Sequence, residues 1–471
     1  MPTRDPNIVV ILTDDQGPWA LGCAGNSEIR TPNLDRLAAT GVRFDSFFCA
    51  SPVCSPARAS LLTGRIPSSH GVHDWLRMGN IDAADDHGIE YLRGLTAYTE
   101  LLAARGYVCG LSGKWHLGDS RRPQKGFSYW VVHQTGGSSY HNAPMLRDGV
   151  LYSEPRYLTD AITDGALEFL EARRGADQPF YLGVHYTAPH SPWVAEHPED
   201  IVASYDACPF ASCPDVPYHP WAIASAPRGT GQERREILKG YFSAVTAMDA
   251  GVGRLLDWLE EAGLRDDTIL LFLSDNGMNL GHHGIYGKGN GTFPANMYDT
   301  SVKVPAILSA PGRCREGVVE DGLFSQYDFF PTLVDYLGLE APLMDDLPGR
   351  SFAPILRGEG MPGRSEVVVF DEYGPTRMVR DRRWKYVHRY AYGPHELYDL
   401  EADPGEEHNL ADDPAARGTL EALKARLDAF FVRYADPARD GSREAVFGSG
   451  QIDLAGPAGE GRKAFEGPLS S

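Results

Sequence analysis

The stretch Pro6-Asn7-Ile8-Val9-Val10-Ile11-Leu12-Thr13-Asp14-Asp15 decides the fold. Residues 8–12 are continuously apolar and mostly β-branched, bounded by Pro6 and by the acidic pair. A run without polar alternation suits a central strand buried on both faces of a mostly parallel sheet. Similar runs recur at residues 107–111, 180–185, 268–273 and 304–308. Between them, residues 33–40, 97–105, 159–173, 232–262 and 326–337 carry helical spacing. Strands alternating with helices predict a layered α/β sandwich with a large mixed, mostly parallel sheet.

Residues 139–157 and 192–227 lack clear periodicity and read as long loops near a site. The run Arg357-Gly358-Glu359-Gly360-Met361-Pro362-Gly363 marks a boundary. Beyond it, strand-like pieces at 366–370, 376–380 and 385–390 and an amphipathic helix at 415–434 predict a small α+β subdomain. The expected organisation is a main domain over 1–360, a subdomain over 365–436, and a Gly/Ala/charge-rich tail over 437–471. That tail reads as an extended arm or as disordered, and an arm crossing a homo-oligomer interface is one use for it.

The chain has 471 residues and a formal net charge of −20. Such an acidic surface is a poor non-specific binder of nucleic acid or anionic lipid, so neither partner is expected. A small anionic substrate is not excluded, because a local cluster of cations captures it whatever the global charge. The seven cysteines are irregularly spaced and form no Cys-x-x-Cys pair, unlike a disulfide framework or a zinc site. No stretch approaches the ~18 apolar residues of a membrane span. The N-terminus has no charged segment followed by an apolar one and a cleavage site. The expectation is a soluble cytoplasmic protein, although an exported chain whose leader had been removed would read the same.

Six segments carry chemistry. In Cys54-Ser55-Pro56-Ala57-Arg58, Pro56 sits where a first helical residue would, which places Cys54 just before a helix N-terminus, where anions are favoured. A buried cysteine packing before a helix fits the same five residues. Asp14-Asp15, at the C-terminal edge of the first strand, suits a hard divalent cation, but also a turn or helix cap. Ser274-Asp275-Asn276-Gly277 follows another apolar run and adds a carboxylate and an amide oxygen. Oxygen ligands from three segments suit Ca²⁺ or Mg²⁺ and disfavour zinc. Lys114 and His116, two apart in Gly113-Lys114-Trp115-His116, share a face if the segment is extended. His190 and Lys288 stand in the loops Ala188-Pro189-His190-Ser191-Pro192 and Gly287-Lys288-Gly289.

Together, Cys54-Ser55-Pro56-Ala57-Arg58 and Leu62-Thr63-Gly64-Arg65 resemble the signature of type I sulfatases of the alkaline phosphatase superfamily. The resemblance runs from residue 7 to about 411. It implies an alkaline-phosphatase-like α/β/α sandwich and a hydrolase of sulfate monoesters. It implies that Cys54 is oxidised to formylglycine by a separate formylglycine-generating enzyme, and that Asp14, Asp15, Asp275, Asn276 and modified Cys54 hold Ca²⁺, or Mg²⁺ in its place. The implied roles are Arg58 for holding formylglycine, Lys114 and Lys288 for sulfate, His190 for the leaving alcohol, and His116 for releasing sulfate from the enzyme. Ser325-Gln326-Tyr327-Asp328 and Glu396-Leu397-Tyr398-Asp399-Leu400 extend the resemblance as structural motifs. For the alcohol, Trp75, Arg77, His141, His282 and His283 are the candidate contacts, and their aromatic and polar mixture leans toward a sulfated carbohydrate. One alternative is a phosphonate monoester hydrolase or phosphodiesterase of the same superfamily, favoured by Gly281-His282-His283-Gly284 and disfavoured by Asn276. The other is a non-catalytic scaffold that captures sulfated glycans.

Overall fold

The computed structural model describes residues 4–80, 88–223, 229–341, 344–371, 375–444, 446 and 448–466. Its first strands are β1 (Asn7–Thr13), β2 (Val42–Phe48), β3 (Val108–Lys114), β4 (Tyr129–His133), β5 (Ala143–Arg147), β6 (Val150–Glu154), β7 (Phe180–His185) and β8 (Thr268–Ser274). After them come β9 (Asn279–Leu280), β10 (Tyr286–Gly287), β11 (Lys303–Ser309), β12 (Val318–Ser325), β13 (Val367–Asp371), β14 (Thr376–Arg380), β15 (Trp384–Arg389) and β16 (Glu396–Asp399).

The main sheet has the order β12-β2-β11-β8-β1-β7-β3-β4-β5-β6. All its strands point one way except β5 and β11. β1 lies at the centre, parallel to both β7 and β8, and is buried along its whole length. Its side chains alternate between two cores, as the period of a strand demands. Val9 and Ile11 face the core built with the helices Pro32–Ala39, Leu158–Glu171 and Gly231–Glu261. Ile8, Val10 and Leu12 face the opposite core, with the helices Cys54–Thr63, Tyr98–Ala104 and Phe329–Leu337. This is the predicted α/β/α sandwich. Since β1, β3, β7 and β8 are parallel neighbours, their C-terminal ends open on one edge, where open α/β sheets bind ligands. Among the described residues no helix is long and apolar enough to cross a membrane.

Three local expectations are corrected. Residues 139–157 are not one loop: they hold the hairpin β5–β6, joined by Asp148-Gly149 with both residues at positive φ. An Asp-Gly pair between strands is a hairpin signal, masked here by weak alternation on either side. Cys54 is itself the first residue of its helix, with Val53 as the cap. The segment 326–337 splits into a 3₁₀ turn, Gln326–Asp328, and the helix Phe329–Leu337. Residues 224–228 of the long loop, and 445, 447 and 467–471 of the tail, lie outside the described residues.

The C-terminal subdomain is an antiparallel sheet, β13-β14-β15-β16, covered by the helix Arg417–Tyr434. Val368, Phe370, Val379, Tyr386 and Leu397 meet Leu423, Leu427, Phe430 and Phe431. A buried ion network fastens this sheet to the main domain. Lys385 Nζ, fully buried on β15, donates to Met297 O (2.8 Å), to Asp299 Oδ1 (2.6 Å) and to the carboxylate of Glu406. Arg380 adds a second bond to Asp299 at 2.6 Å. Removing one partner of a buried network strands the others without solvent. Lys385→Ala is therefore expected to lower unfolding stability by about 3–5 kcal/mol, checked by denaturant titration of the variant beside the wild type.

Candidate active site

The strand ends set the site. Asp14 and Asp15 directly follow β1, Asp275 and Asn276 directly follow β8, and β3 ends in Lys114. The helix that begins at Cys54 brings Arg58 one turn further on. Each of these residues is buried. Asp15 and His116 both hold left-handed φ, +65° and +52°. Such backbone is costly for residues with a Cβ and concentrates at functional positions. At His116 it corrects the sequence reading: the chain is not extended through to residue 116, and the ring reaches the site because the backbone turns there. The ring then lies with Nδ1 3.4 Å from Cys54 Sγ and Nε2 3.1 Å from Leu76 O.

Charge is balanced pair by pair. Lys114 Nζ donates to Asp14 Oδ2, and Lys288 Nζ donates to Asp15 Oδ1 at 2.6 Å. Arg58 Nε donates to Asp275 Oδ2 at 2.9 Å and its Nη1 to Lys114 O at 3.1 Å. Asn276 Nδ2 donates to Asp15 Oδ1 at 2.8 Å, which turns its carbonyl oxygen away from that carboxylate. His190 Nε2 stands 3.8 Å from Asp15 Oδ2, while its Nδ1 is 2.6 Å from Ser191 O. Burial pushes the Asp14 carboxyl up against the pull of Lys114. Burial and the neighbouring Asp14 carry Asp275 up to about 6. At Asp15 burial acts in the same sense, but Lys288 and His190 outweigh it and hold the carboxyl low. The Cys54 thiol also falls below its ordinary value, because Lys114 and Lys288 overcome the cost of burying a thiolate. Burial, reinforced by Lys114 and Arg58, keeps His116 neutral.

The oxygen set fits a divalent cation. Asp14 Oδ1 and Asn276 Oδ1 are buried with no hydrogen-bond partner among the described residues. Buried acceptors are rarely left unpaired, and a hard cation beside Asp14 would satisfy its free oxygen, with Asn276 reaching it once its amide is turned over. Asp14, Asp15 and His190 also converge closely enough to share an ion. Arg58 Nη2 is likewise buried without a partner among the described residues, leaving a donor for an oxygen at position 54.

The Sulfatase family model matches residues 6–339. The chain belongs to the sulfatase family. A second model, that of the N-sulphoglucosamine sulphohydrolase C-terminal region, matches residues 281–432. Human arylsulfatase A is 31% identical, over 90% of this chain and 89% of its own length. An N-acetylglucosamine-6-O-sulfatase of Bacteroides thetaiotaomicron is 27% identical, over 94% and 89%. A solved structure described as in complex with its substrate D-glucosamine-2-N,6-O-disulfate is 25% identical. It superposes with a TM-score of 0.79, covering 93% of this chain and 99% of its own. Membership of this family implies formylglycine and a metal, and the cluster Asp14, Asp15 and His190 fits a metal ion.

A cavity of about 590 Å³ opens onto this sulfatase centre. It is lined by Cys54, His116, His190 and Lys288 on the reacting side. Facing them are Trp75, Arg77, Asn80, Ser138, Ser191 and Asn290. Of the candidate contacts for the alcohol, Trp75 and Arg77 line this cavity, and, contrary to expectation, His141, His282 and His283 do not. His141 is exposed and leans on Tyr157. His282 packs on Trp19, and His283 stacks on Tyr298 at 3.7 Å. Both rings of the loop 281–284 thus pack against aromatic neighbours and lie outside the lining of this cavity.

Several positioning groups escaped the sequence. Gln326 donates to Ser274 O and Asp275 O at 3.0 and 2.7 Å and accepts from Ala50 N at 3.0 Å, tying two segments of the site together. Tyr140 donates to His190 O at 2.7 Å. His133, buried on β4, holds the loop 135–138 through Thr135 O and Ser138 Oγ, at 2.9 and 2.8 Å. That loop lies on the His116 ring so closely that a Cβ at Gly136 would come within 2.2 Å of it. Gln326 stands in the motif Ser325–Asp328, but side-chain type does not reveal these roles, which depend on groups that the fold brings close to Gln326, Tyr140 and His133.

Proposed function

We propose that this sulfatase cleaves sulfate monoesters of a sulfated carbohydrate, with Ca²⁺ in the oxygen site. The observation that carries the reading is the cavity, in which an indole, a guanidinium, two hydroxyls and two carboxamides face the nucleophile. An aromatic surface rimmed by such groups suits a sugar ring and its hydroxyls. The N-acetylglucosamine sulfatase and the glucosamine-disulfate complex among its relatives agree with it.

A formylglycine hydrate at position 54 would supply a nucleophilic hydroxyl, and a divalent cation held by Asp14, Asp15, Asp275 and Asn276 would acidify it and offset charge on the sulfate. The remaining work falls to side chains. Lys114 and Lys288 are the donors for the sulfate oxygens and for the charge that develops on them. Asp14, Asp15 and Asp275 cancel Lys114, Lys288 and Arg58, so the cation leaves a net positive centre for an anionic ester. Leu76 O is an acceptor only, so the proton of neutral His116 sits on Nε2 and its Nδ1 lone pair faces position 54. This is the tautomer that can take a proton from the nucleophilic residue. By the same rule Ser191 O fixes the proton of His190 on Nδ1, and its Nε2 faces Asp15 and the cavity. Protonated at Nε2, His190 is the acid for the departing alcohol, steadied by Asp15.

The test is to express the chain with a formylglycine-generating enzyme, confirm by peptide mass spectrometry that Cys54 has become the aldehyde, and assay it with and without Ca²⁺. N-acetylglucosamine 6-sulfate and 4-nitrophenyl sulfate are the substrates. Turnover of the sugar sulfate that is lost with chelator and restored by Ca²⁺ is expected. The carbohydrate reading is abandoned if a panel of sulfated sugars is inert while the aryl ester is cleaved. Ca²⁺ should also raise the melting temperature, because an ion at a hundred times its Kd stabilises by about 2.7 kcal/mol.

A further inference from the structure

The C-terminal arm lies beyond both family matches, which end at residues 339 and 432. It nevertheless reaches the active-site cavity. Gln451 is fully buried and forms a parallel bridge with Leu76. Its N donates to Trp75 O at 2.8 Å, and its O accepts from Arg77 N at 3.0 Å. Its side chain accepts from His73 N at 2.9 Å and donates to Gly71 O and Asp453 O, both at 2.9 Å. One residue of the arm thus uses its backbone and its carboxamide to clasp the segment 71–77.

The residues just before it hold the side chains that enter the cavity. Trp75 Nε1 donates to Gly448 O at 3.3 Å, and Arg77 Nη1 to Ser449 O at 3.2 Å. Gly450 N donates to Asp74 Oδ2 at 3.1 Å. Gly450 has φ +89°, and a Cβ there would fall 2.7 Å from Arg77 Cβ and 2.9 Å from the Trp75 ring. The arm therefore lies flat against both side chains. Gly448 itself lines a second cavity of about 290 Å³, which shares Trp75, His190, Ser191, Lys288 and Asn290 with the first.

We propose that residues 448–451 of the arm are the specificity wall of this sulfatase, fixing Trp75 and Arg77 in the alcohol subsite so that it receives a sugar ring. The proposal rests on the carbohydrate reading above. A tryptophan held by its indole N–H and packed against backbone is ordered before the ligand arrives, so the ligand does not bear the cost of ordering it. Within the clasped segment Leu76 O also holds His116 Nε2, so Gln451→Ala reaches kcat as well, whereas Gly450→Ala keeps the clasp and acts on KM for the ring-bearing substrate more than on kcat.

The test is a set of kinetic comparisons on aldehyde-bearing enzyme with N-acetylglucosamine 6-sulfate and 4-nitrophenyl sulfate. Gln451→Ala removes the carboxamide clasp. Gly450→Ala keeps it but drives a methyl group at Trp75 and Arg77. Each is expected to raise KM for the sugar sulfate and lower its kcat/KM by about 10- to 100-fold, a loss roughly tenfold or more greater than for the aryl ester. Added to Trp75→Ala and Arg77→Ala together, Gln451→Ala should cost no more than about threefold further, because it acts through those two side chains. Equal losses on both substrates, additive losses in that combined variant, or no change would overturn the wall. Should Gln451→Ala fail to melt cooperatively, Gly450→Ala decides. Wild-type enzyme that cleaves the aryl ester but no sugar sulfate overturns the carbohydrate reading, and the wall with it. A failed selectivity ratio with sugar turnover intact overturns the wall alone.

Discussion

Cys54→Ser is expected to lower steady-state sulfatase activity by about 10⁴-fold or more, the scale seen when a nucleophile that works as part of a set is removed. The side chain at position 54 is within 3.4 Å of His116 Nδ1 and starts a helix whose residues are all buried, so the substitution changes chemistry and leaves packing nearly intact. Serine keeps one oxygen near Lys114 and Lys288 and is close enough to His116 to be deprotonated. It lacks the second hydroxyl from which the aldehyde's hydrate can expel sulfate, so a sulfated serine has no route back except slow hydrolysis. A rapid-quench experiment should show at most one equivalent of alcohol released per chain, followed by a stall. Cys54→Ala should show no such burst. A serine variant that turns over repeatedly would mean that the second hydroxyl is not needed, and the role assigned to His116 would fall with it. The melting temperature of both variants should stay close to that of the wild type, which separates this loss from misfolding.

The centre of the fold and the reacting groups were legible because each left a mark in local sequence. The double burial of β1 is written in residues 8–12, and the strand ends beside it carry Asp14, Asp15, Asp275 and Asn276. The outer strands were harder. β2 reads Val42-Arg43-Phe44-Asp45-Ser46-Phe47-Phe48, with Arg43 and Asp45 on the strand as an ion pair at 3.1 Å, a pattern without a continuous apolar run. β12 and β6, the two edge strands, and β5 beside β6 are mixed in the same way, because strands at the margins of the sheet are covered less completely than its centre. In the site, what could not be read was whatever works through backbone. Leu76 sets the tautomer of His116 by its carbonyl, and no property of a leucine side chain announces that. His141, His282 and His283 misled for the opposite reason. Their chemistry suits a polar pocket, yet tertiary packing places His282 and His283 against aromatic neighbours and leaves His141 outside. The arm gave only composition, and its part in the cavity depends on pairing Gln451 with a segment far earlier in the chain.

Arg58→Ala should be the most destabilising of the single changes in the site. Arg58 is 2% exposed and its partner Asp275 is fully buried, with Asp14 and Asp15 beside them. Deleting the guanidinium leaves three carboxylates facing two lysines, and an uncompensated buried charge costs about 3–5 kcal/mol. The pH dependence of that loss has a definite sign in metal-free protein. Asp275 already titrates at about 6, above its ordinary value, because burial and Asp14 oppose its charge, while Arg58 pulls the other way. Without Arg58 its folded pKa rises further, so the folded state disfavours the ionised carboxylate still more. A group raised in this way costs stability fully above its folded pKa, and the cost fades as pH falls toward the unfolded value. The difference between Arg58→Ala and wild type, measured by urea unfolding after chelation, should therefore be larger at pH 8 than at pH 5. A difference that stayed constant with pH would mean that Arg58 acts by packing alone. Arg58→Lys keeps the charge but has no fork to span Asp275 and Lys114 O together. It should recover part of the stability at pH 8 and little of the activity, because the donor left over for position 54 belongs to the guanidinium.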